Sequence, residues 1–279
     1  MRGRVLSGCS TNACLAAKRL GLRRVGLIGC LGSDFESRFH SDMDRYGIDI
    51  IHVKRSEETA GFKLIYDSRG NRTLDVLGIA GTIQPEDLPA SCFDAKAILF
   101  APILQEVDVD LMKFVRQHSE AKTFVDPQGL LRDVETNGRI RWRCSREKAV
   151  ALTQLVDVIK PNEYEAEVLT QAENPYTATR LLSEWGSTIS IVTLAEKGSL
   201  MGKGRNIMRI PPYKTVAVDP TGAGDVYIGS FITKYFEERS LFECAVFASA
   251  AASMKIEHSG PDFPMTYAEV SRRVKELLG

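Results

Sequence analysis

Neither sign of charge prevails in this 279-residue sequence, in which 36 Lys plus Arg stand against 36 Asp plus Glu. A chain without net charge has no bulk field to hold it on nucleic acid or on an acidic membrane surface. Neither is expected as a partner, and any anionic ligand must be gripped by local features. The six cysteines, Cys9, Cys14, Cys30, Cys92, Cys144 and Cys244, contain no C-x-x-C pair. That indicates neither a zinc site nor a disulfide framework, and free thiols in a reducing compartment fit better. The four histidines stand far apart and form no H-x-E or H-E-x-x-H arrangement. Apolar runs of membrane-spanning length and a signal-peptide pattern are also lacking, so the expected location is cytoplasmic.

Hydrophobic residues make up 44% and charged residues 26%, ordinary values for a globular protein, and the length suits one principal α/β domain with an inserted subdomain. From about residue 85 onward, β-branched runs at 97–100, 123–125, 156–159 and 189–194 alternate with amphipathic stretches at 109–118 and 176–185. This reads as β-α-β units around a doubly wound, mainly parallel sheet. The stretch between Gly47 and Gly81 has no room for crossover helices. Strand-like runs at 50–53, 61–66 and 72–77, with the turn Ser68-Arg69-Gly70-Asn71, predict a small antiparallel sheet serving as a lid. It follows a helix over 33–46 that opens with a capping box from Ser33 to Glu36. After Pro220 the chain turns helical, with Asp225, Ile228, Ile232, Tyr235 and Phe236 on one face, then helices over 241–255 and 266–278.

The most informative stretch is Asp219-Pro220-Thr221-Gly222-Ala223-Gly224-Asp225, leading directly into a helix. Two glycines permit a tight turn and close approach of a ligand, and the first-turn N–H groups have no intrahelical partners. With the helix dipole added, the amides of Gly222, Ala223 and Gly224 form an anion hole suited to a phosphoryl group in transfer. Beside a phosphate, the carboxylate of Asp225 would bind poorly but would serve well to take the proton of an attacking hydroxyl. Plain helix capping by Thr221 and Asp225 is the competing explanation.

D-P-T-G-A-G-D resembles the C-terminal motif of the ribokinase family, the PfkB type of carbohydrate kinase, and further landmarks follow in order along nearly the whole chain. Gly8-Cys9-Ser10-Thr11-Asn12 resembles the family's glycine-rich sugar-binding turn, which implies Gly8, Ser10, Asn12 and Asp225 as substrate-binding residues. Val25 to Asp34 resembles the strand and turn that follow, and its Gly26, Gly29, Gly32 spacing is not the dinucleotide fingerprint. Asn162-Glu163-Tyr164-Glu165 resembles the N-x-x-E motif. That implies Asn162 and Glu165 near the phosphates, with Glu165 reaching magnesium through water, although Asn and Glu at this spacing also make a capping box. Thr193-Leu194-Ala195-Glu196-Lys197-Gly198 resembles the T-x-G-x-x-G nucleotide turn, with Ala195 in place of a frequent glycine. It implies Thr193, Glu196 and Gly198 at the nucleotide, together with Gly224. The stretch 247–252 is similar to the adenine-side helix, with Ser249 where many relatives carry asparagine. In relatives the loop matching 255–263 and the backbone near the first motif aspartate bind potassium, which implies Asp219 and Thr221 as candidates. Solvated loop polarity explains these residues equally well. Gly70-Asn71-Arg72 is similar to the lid turn whose basic residue faces substrate, and Asp126-Pro127-Gln128-Gly129 falls where relatives line the acceptor pocket.

Taken together, the resemblance implies a ribokinase-like fold and an ATP- and magnesium-dependent phosphotransferase. Its acceptor is a hydroxyl of a small sugar, polyol or nucleoside. Residues 1–10 and 47–81 are assigned to the lid and 11–46 and 82–279 to the core, with a homodimer expected through the lid sheet. One departure stands at the start. The glycine-rich turn begins at Gly8, whereas relatives first run a central strand bearing an aspartate for the acceptor. The expectation is therefore either a start site further upstream or a differently bound acceptor. A non-catalytic nucleotide- or sugar-binding relative is the rival reading, favoured by the same departure.

Overall fold

The computed structural model describes residues 6–66, 72–237 and 239–279. From the N-terminus run α1 (Cys9–Arg19), β1 (Gly26–Gly32), α2 (Glu36–Tyr46), β2 (Asp49–Ser56), β3 (Gly61–Tyr66) and β4 (Arg72–Gly78). The middle of the chain forms β5 (Ala97–Phe100), α3 (Val109–His118), β6 (Lys122–Val125), β7 (Arg132–Val134), β8 (Ile140–Trp142), α4 (Arg146–Leu155) and β9 (Val158–Ile159). Then come α5 (Glu163–Thr170), α6 (Pro175–Trp185), β10 (Ile189–Thr193), β11 (Ser199–Lys203), β12 (Asn206–Ile210), α7 (Ala223–Tyr235), α8 (Leu241–Ile256) and α9 (Tyr267–Leu278).

A six-stranded sheet in the order β12-β11-β10-β9-β6-β5 forms the middle layer. Its four strands β5, β6, β9 and β10 are parallel, and β11 and β12 continue it antiparallel. The run Ile189-Ser190-Ile191-Val192 is buried throughout, as a parallel strand covered on both faces requires. One face packs on α3, α4, α5 and α6 through Met112, Leu152, Leu169 and Leu182. The other packs on α7 and α8 through Ile228, Phe231, Ala245 and Ala248. Among the described residues, no helix is long and apolar enough to cross a membrane.

Helix α1 lies against α7 so closely that a methyl at Gly229 would run into the carbonyl of Ala13. This glycine sets the approach of the two helices and brings their N-termini together. Cys9 and Ser10 open α1, so in the fold they go with the core.

Two expectations need correction. The run 50–53 is a strand, but it pairs parallel with β1 in a separate two-stranded sheet, and among the described residues the antiparallel part of the insert is the β3–β4 hairpin. A parallel pair needs a crossover, and α2 supplies it between β1 and β2. The capping box at Ser33 does not form either, because α2 begins at Glu36 with Phe35 at the N-cap and no side-chain cap. Residues 32–34 are held instead by the insert. Asp34 accepts from the N–H and hydroxyl of Thr59 at 3.1 and 2.8 Å, and the Gly32 N–H donates to the Thr59 hydroxyl at 3.0 Å. Among the described residues β1 and β5 are not paired with each other, and both face one cleft.

Candidate active site

Three helices begin at this cleft, whose volume is about 2640 Å³, and each turns the positive end of its dipole toward it. Helix α1 starts after Gly8, whose φ of 117° suits glycine and whose carbonyl accepts the Asn12 N–H at 2.9 Å. Helix α5 starts at Asn162, whose side chain and that of Glu165 form a reciprocal capping box. Helix α7 starts after Gly222, at a φ of 82°. Gly8, Ser10, Asn12, Asn162, Glu165, Thr193, Asp219, Thr221, Gly222, Ala223, Gly224 and Asp225 all border the cleft.

Asp225 sits in the first turn of α7, partly open to the cleft. The buried Asn12 amide donates to its Oδ2 at 2.8 Å. A Cβ on Gly222 would stand 2.8 Å from that amide nitrogen, so the glycine leaves the space Asn12 occupies. The Cys9 thiol also bonds Asp225, and Cys9, Asp126 and Asp225 offer ligand atoms within 4.8 Å of one another. Loss of water and then the like charge of Asp126 raise the pKa of Asp225, while Asn12, Cys9 and Lys160 pull it back. Burial likewise lifts the Cys9 thiol well above its ordinary value.

Lys160, at the carboxyl end of β9, stands under this group. Its Nζ lies 2.8 Å from Asp126 Oδ2, both side chains being 3% exposed, and 3.1 Å from where a Cβ on Gly224 would be. Gly224 therefore does more than turn the chain, because any side chain there would press on the ammonium. Burial by itself would lower the Lys160 pKa, but Asp126 and Glu165 outweigh it and raise it. Glu165 is 4% exposed, and burial followed by the charge of Asp126 pushes it up to about 7. A buried carboxylate whose charge is disfavoured by burial and by Asp126, with Lys160 only partly offsetting them, fits a hydrated magnesium ion, as Glu165 and Asn162 were expected to provide.

The other expected residues divide. Thr193 is bridged to Asn162, and Ala195 borders the cleft with a φ of 50°, a backbone position that favours the glycine it replaces. Glu196, Gly198 and Ser249 do not border it. The Ser249 hydroxyl donates to the Pro211 carbonyl at 2.8 Å, and Gly198 is packed against the Ile210 carbonyl. Arg72 opens β4, and its side chain lies outside the described residues, as do Gly70 and Asn71. At the potassium candidates, Asp219 Oδ1 accepts the Thr221 N–H at 3.0 Å, and the buried ammonium of Lys255 stands nearby, donating to the His258 carbonyl at 3.0 Å.

Reading the sequence did not single out Cys9, Lys160 or Lys255. For Lys160 a signal was available: a lysine ending an apolar strand directly before Pro161-Asn162 is a charge at a buried position, and such charges are paired or functional.

Helix starts gathered around a buried carboxylate, near the carboxyl ends of parallel strands, make a cleft of the kind in which α/β proteins bind small anionic ligands. The chain belongs to the pfkB family of carbohydrate kinases, whose family model matches residues 4–267. It is 30% identical over 251 residues to a cytidine kinase of Thermococcus kodakarensis, covering 88% of this chain and 84% of that one. It is 26% identical to a ribokinase of Haemophilus influenzae, covering 91% and 81%. Among solved structures, a pyrophosphate-dependent myo-inositol-1 kinase converted to a myo-inositol-3 kinase shares the fold with a TM-score of 0.83 and 21% identity, over 99% of this chain and 94% of that one. The ribokinase of Thermotoga maritima does so with a TM-score of 0.77 and 21% identity, over 96% and 87%.

Proposed function

We propose that this kinase transfers the terminal phosphoryl of ATP to a hydroxyl of a small sugar, polyol or nucleoside, with Asp225 as the general base. The observation that carries the reading is the place of Asp225. Its carboxylate is oriented by Asn12 at the start of α7, in the cleft that also takes in Asn162, Glu165 and Lys160. The Gly222, Ala223 and Gly224 amides then stabilise charge on the moving phosphoryl, and Asp225 takes the hydroxyl proton. Magnesium, held through water by Glu165, would neutralise charge on the donor phosphates.

The insert at 47–81 acts as the lid. It carries exposed apolar residues, Ile51, Leu77 and Ile79, which supports a homodimer formed through it. Sedimentation of the native protein tests that assembly, and a monomer at assay concentrations removes it.

The activity test is a screen of sugars, polyols and nucleosides with magnesium and either ATP or pyrophosphate, since kinases of this fold include ones described as pyrophosphate-dependent. With the best acceptor, Asp225→Asn is expected to lower kcat by about a hundred- to ten-thousandfold while donor binding persists. Unchanged turnover in Asp225→Asn removes it as the base. Absence of turnover with every acceptor and both donors favours a binding protein.

A further inference from the structure

Lys255, on the last turn of α8, is 2% exposed. Among the described residues it forms no ion pair, and a buried charge is normally paired or bound to a ligand. Its Nζ donates to the His258 carbonyl at 3.0 Å and lies 5.7 Å from the centre of the Phe263 ring. The motif and this loop are stitched together, because the N–H groups of Val218 and Asp219 both donate to the Ile256 carbonyl, at 2.7 and 3.0 Å. Lys255 thus sits where the start of D-P-T-G-A-G-D meets the loop 255–263. Its Cε is 3.6 Å from the position of a Cβ on Gly222.

That junction is where a potassium ion was expected, on Asp219, Thr221 and the same loop. The residues present do not fit it. An ammonium already lies among the groups that would receive the ion, satisfied by a backbone carbonyl as potassium would be, and a second cation there would be repelled. We propose that the Lys255 ammonium is a tethered substitute for the monovalent cation, so that the anion hole at Gly222 works without potassium. The neighbouring charges agree with this. Burial lowers the Lys255 pKa, and Asp219, then Asp225, act against it. The lysine thereby places a fixed positive charge beside Gly222, where α7 starts.

The inference rests on the reading of Asp219 to Asp225 as the phosphoryl site, but melting curves test it without any turnover. The wild-type protein is expected to melt at the same temperature, and to turn over equally fast, in potassium chloride and in tetramethylammonium chloride at equal ionic strength. A melting temperature raised by potassium, or activation by it, overturns the proposal. Lys255→Ala opens a cation-sized space, so its melting temperature should rise with potassium by mass action. Its activity in tetramethylammonium should fall by about tenfold or more and recover in potassium or ammonium. Potassium-independent melting of Lys255→Ala also overturns it. Should that variant fail to fold, Lys255→Met fills the space, and its activity should fall without rescue by potassium. Wild-type activity in Lys255→Met overturns the proposal.

Discussion

The two ends of the cleft are built differently. The end proposed to take the phosphoryl group consists of helix starts and strand ends. Gly222, Gly224, Asn162 and Thr193 are positioned by their own backbone, and glycines admit Asn12 and Lys160 from other parts of the chain. At the other end, side-chain bonds between distant segments hold the walls. Asp34 and Gly32 clasp Thr59, and Glu106 accepts the N–H groups of Ile103 and Leu104 at 3.0 and 2.9 Å. Arg132 stacks over Phe62 and Trp142 while donating to the Ile103 carbonyl. On the function proposed above, phosphoryl transfer would rest on the end held by rigid backbone, and acceptor choice on the end held by side chains beside the insert.

Changes at the phosphoryl end should therefore cost most. Lys160→Met leaves Asp126 and Glu165 without their buried cation, and chemical denaturation is expected to show a loss of about 3–5 kcal/mol. The double variant Lys160→Met with Asp126→Asn should recover much of that stability. Failure to recover would mean that the lysine is not the counter-ion the geometry makes it.

Gly222→Ala, at a φ of 82° and against Asn12, should displace the amide that orients Asp225 and lower kcat by about a hundredfold. A normal kcat would detach Asn12 from the reaction.

The pH profile probes the same end more gently. Asp225, as the proposed base, must be ionised, and its raised pKa places the acid limb of kcat/KM above the ordinary carboxylate range. Activity is thus retained at higher pH and lost as pH falls through that raised value. Asp126→Asn removes a like charge, so the limb should move to lower pH. A shift to higher pH would contradict the cause assigned here.

The smallest effect belongs to the acceptor end. Thr59→Val breaks the clasp on Asp34 and should cost about 1–2 kcal/mol of stability, with a higher acceptor KM and a nearly unchanged kcat. A fall in kcat comparable to that of Gly222→Ala would erase the contrast between the two ends.

Legibility followed the same division. The helices at 109–118 and 241–255 and the strands at 97–100 and 189–194 were readable because their burial pattern repeats within a few residues. The parallel pairing of Asp49–Ser56 with Gly26–Gly32 was not, since strand direction depends on a crossover outside the strand itself. The box at Ser33 failed because Thr59, far along the chain, claims residues 32–34. Asn162 and Glu165 illustrate the reverse case. Their spacing allowed either capping or a phosphate site, and the same two side chains cap α5 and border the cleft.

By itself the sequence determined the family, many of the strands and helices, and the helix start at Gly222 to Asp225, because each is written in neighbouring residues. Only the tertiary structure decided that Lys160 would sit under Gly224, that Lys255 would stand beside Asp219, and that Asn12 would orient Asp225. Those contacts join residues far apart in the chain, and their energies come from burial and distance, which no local pattern encodes.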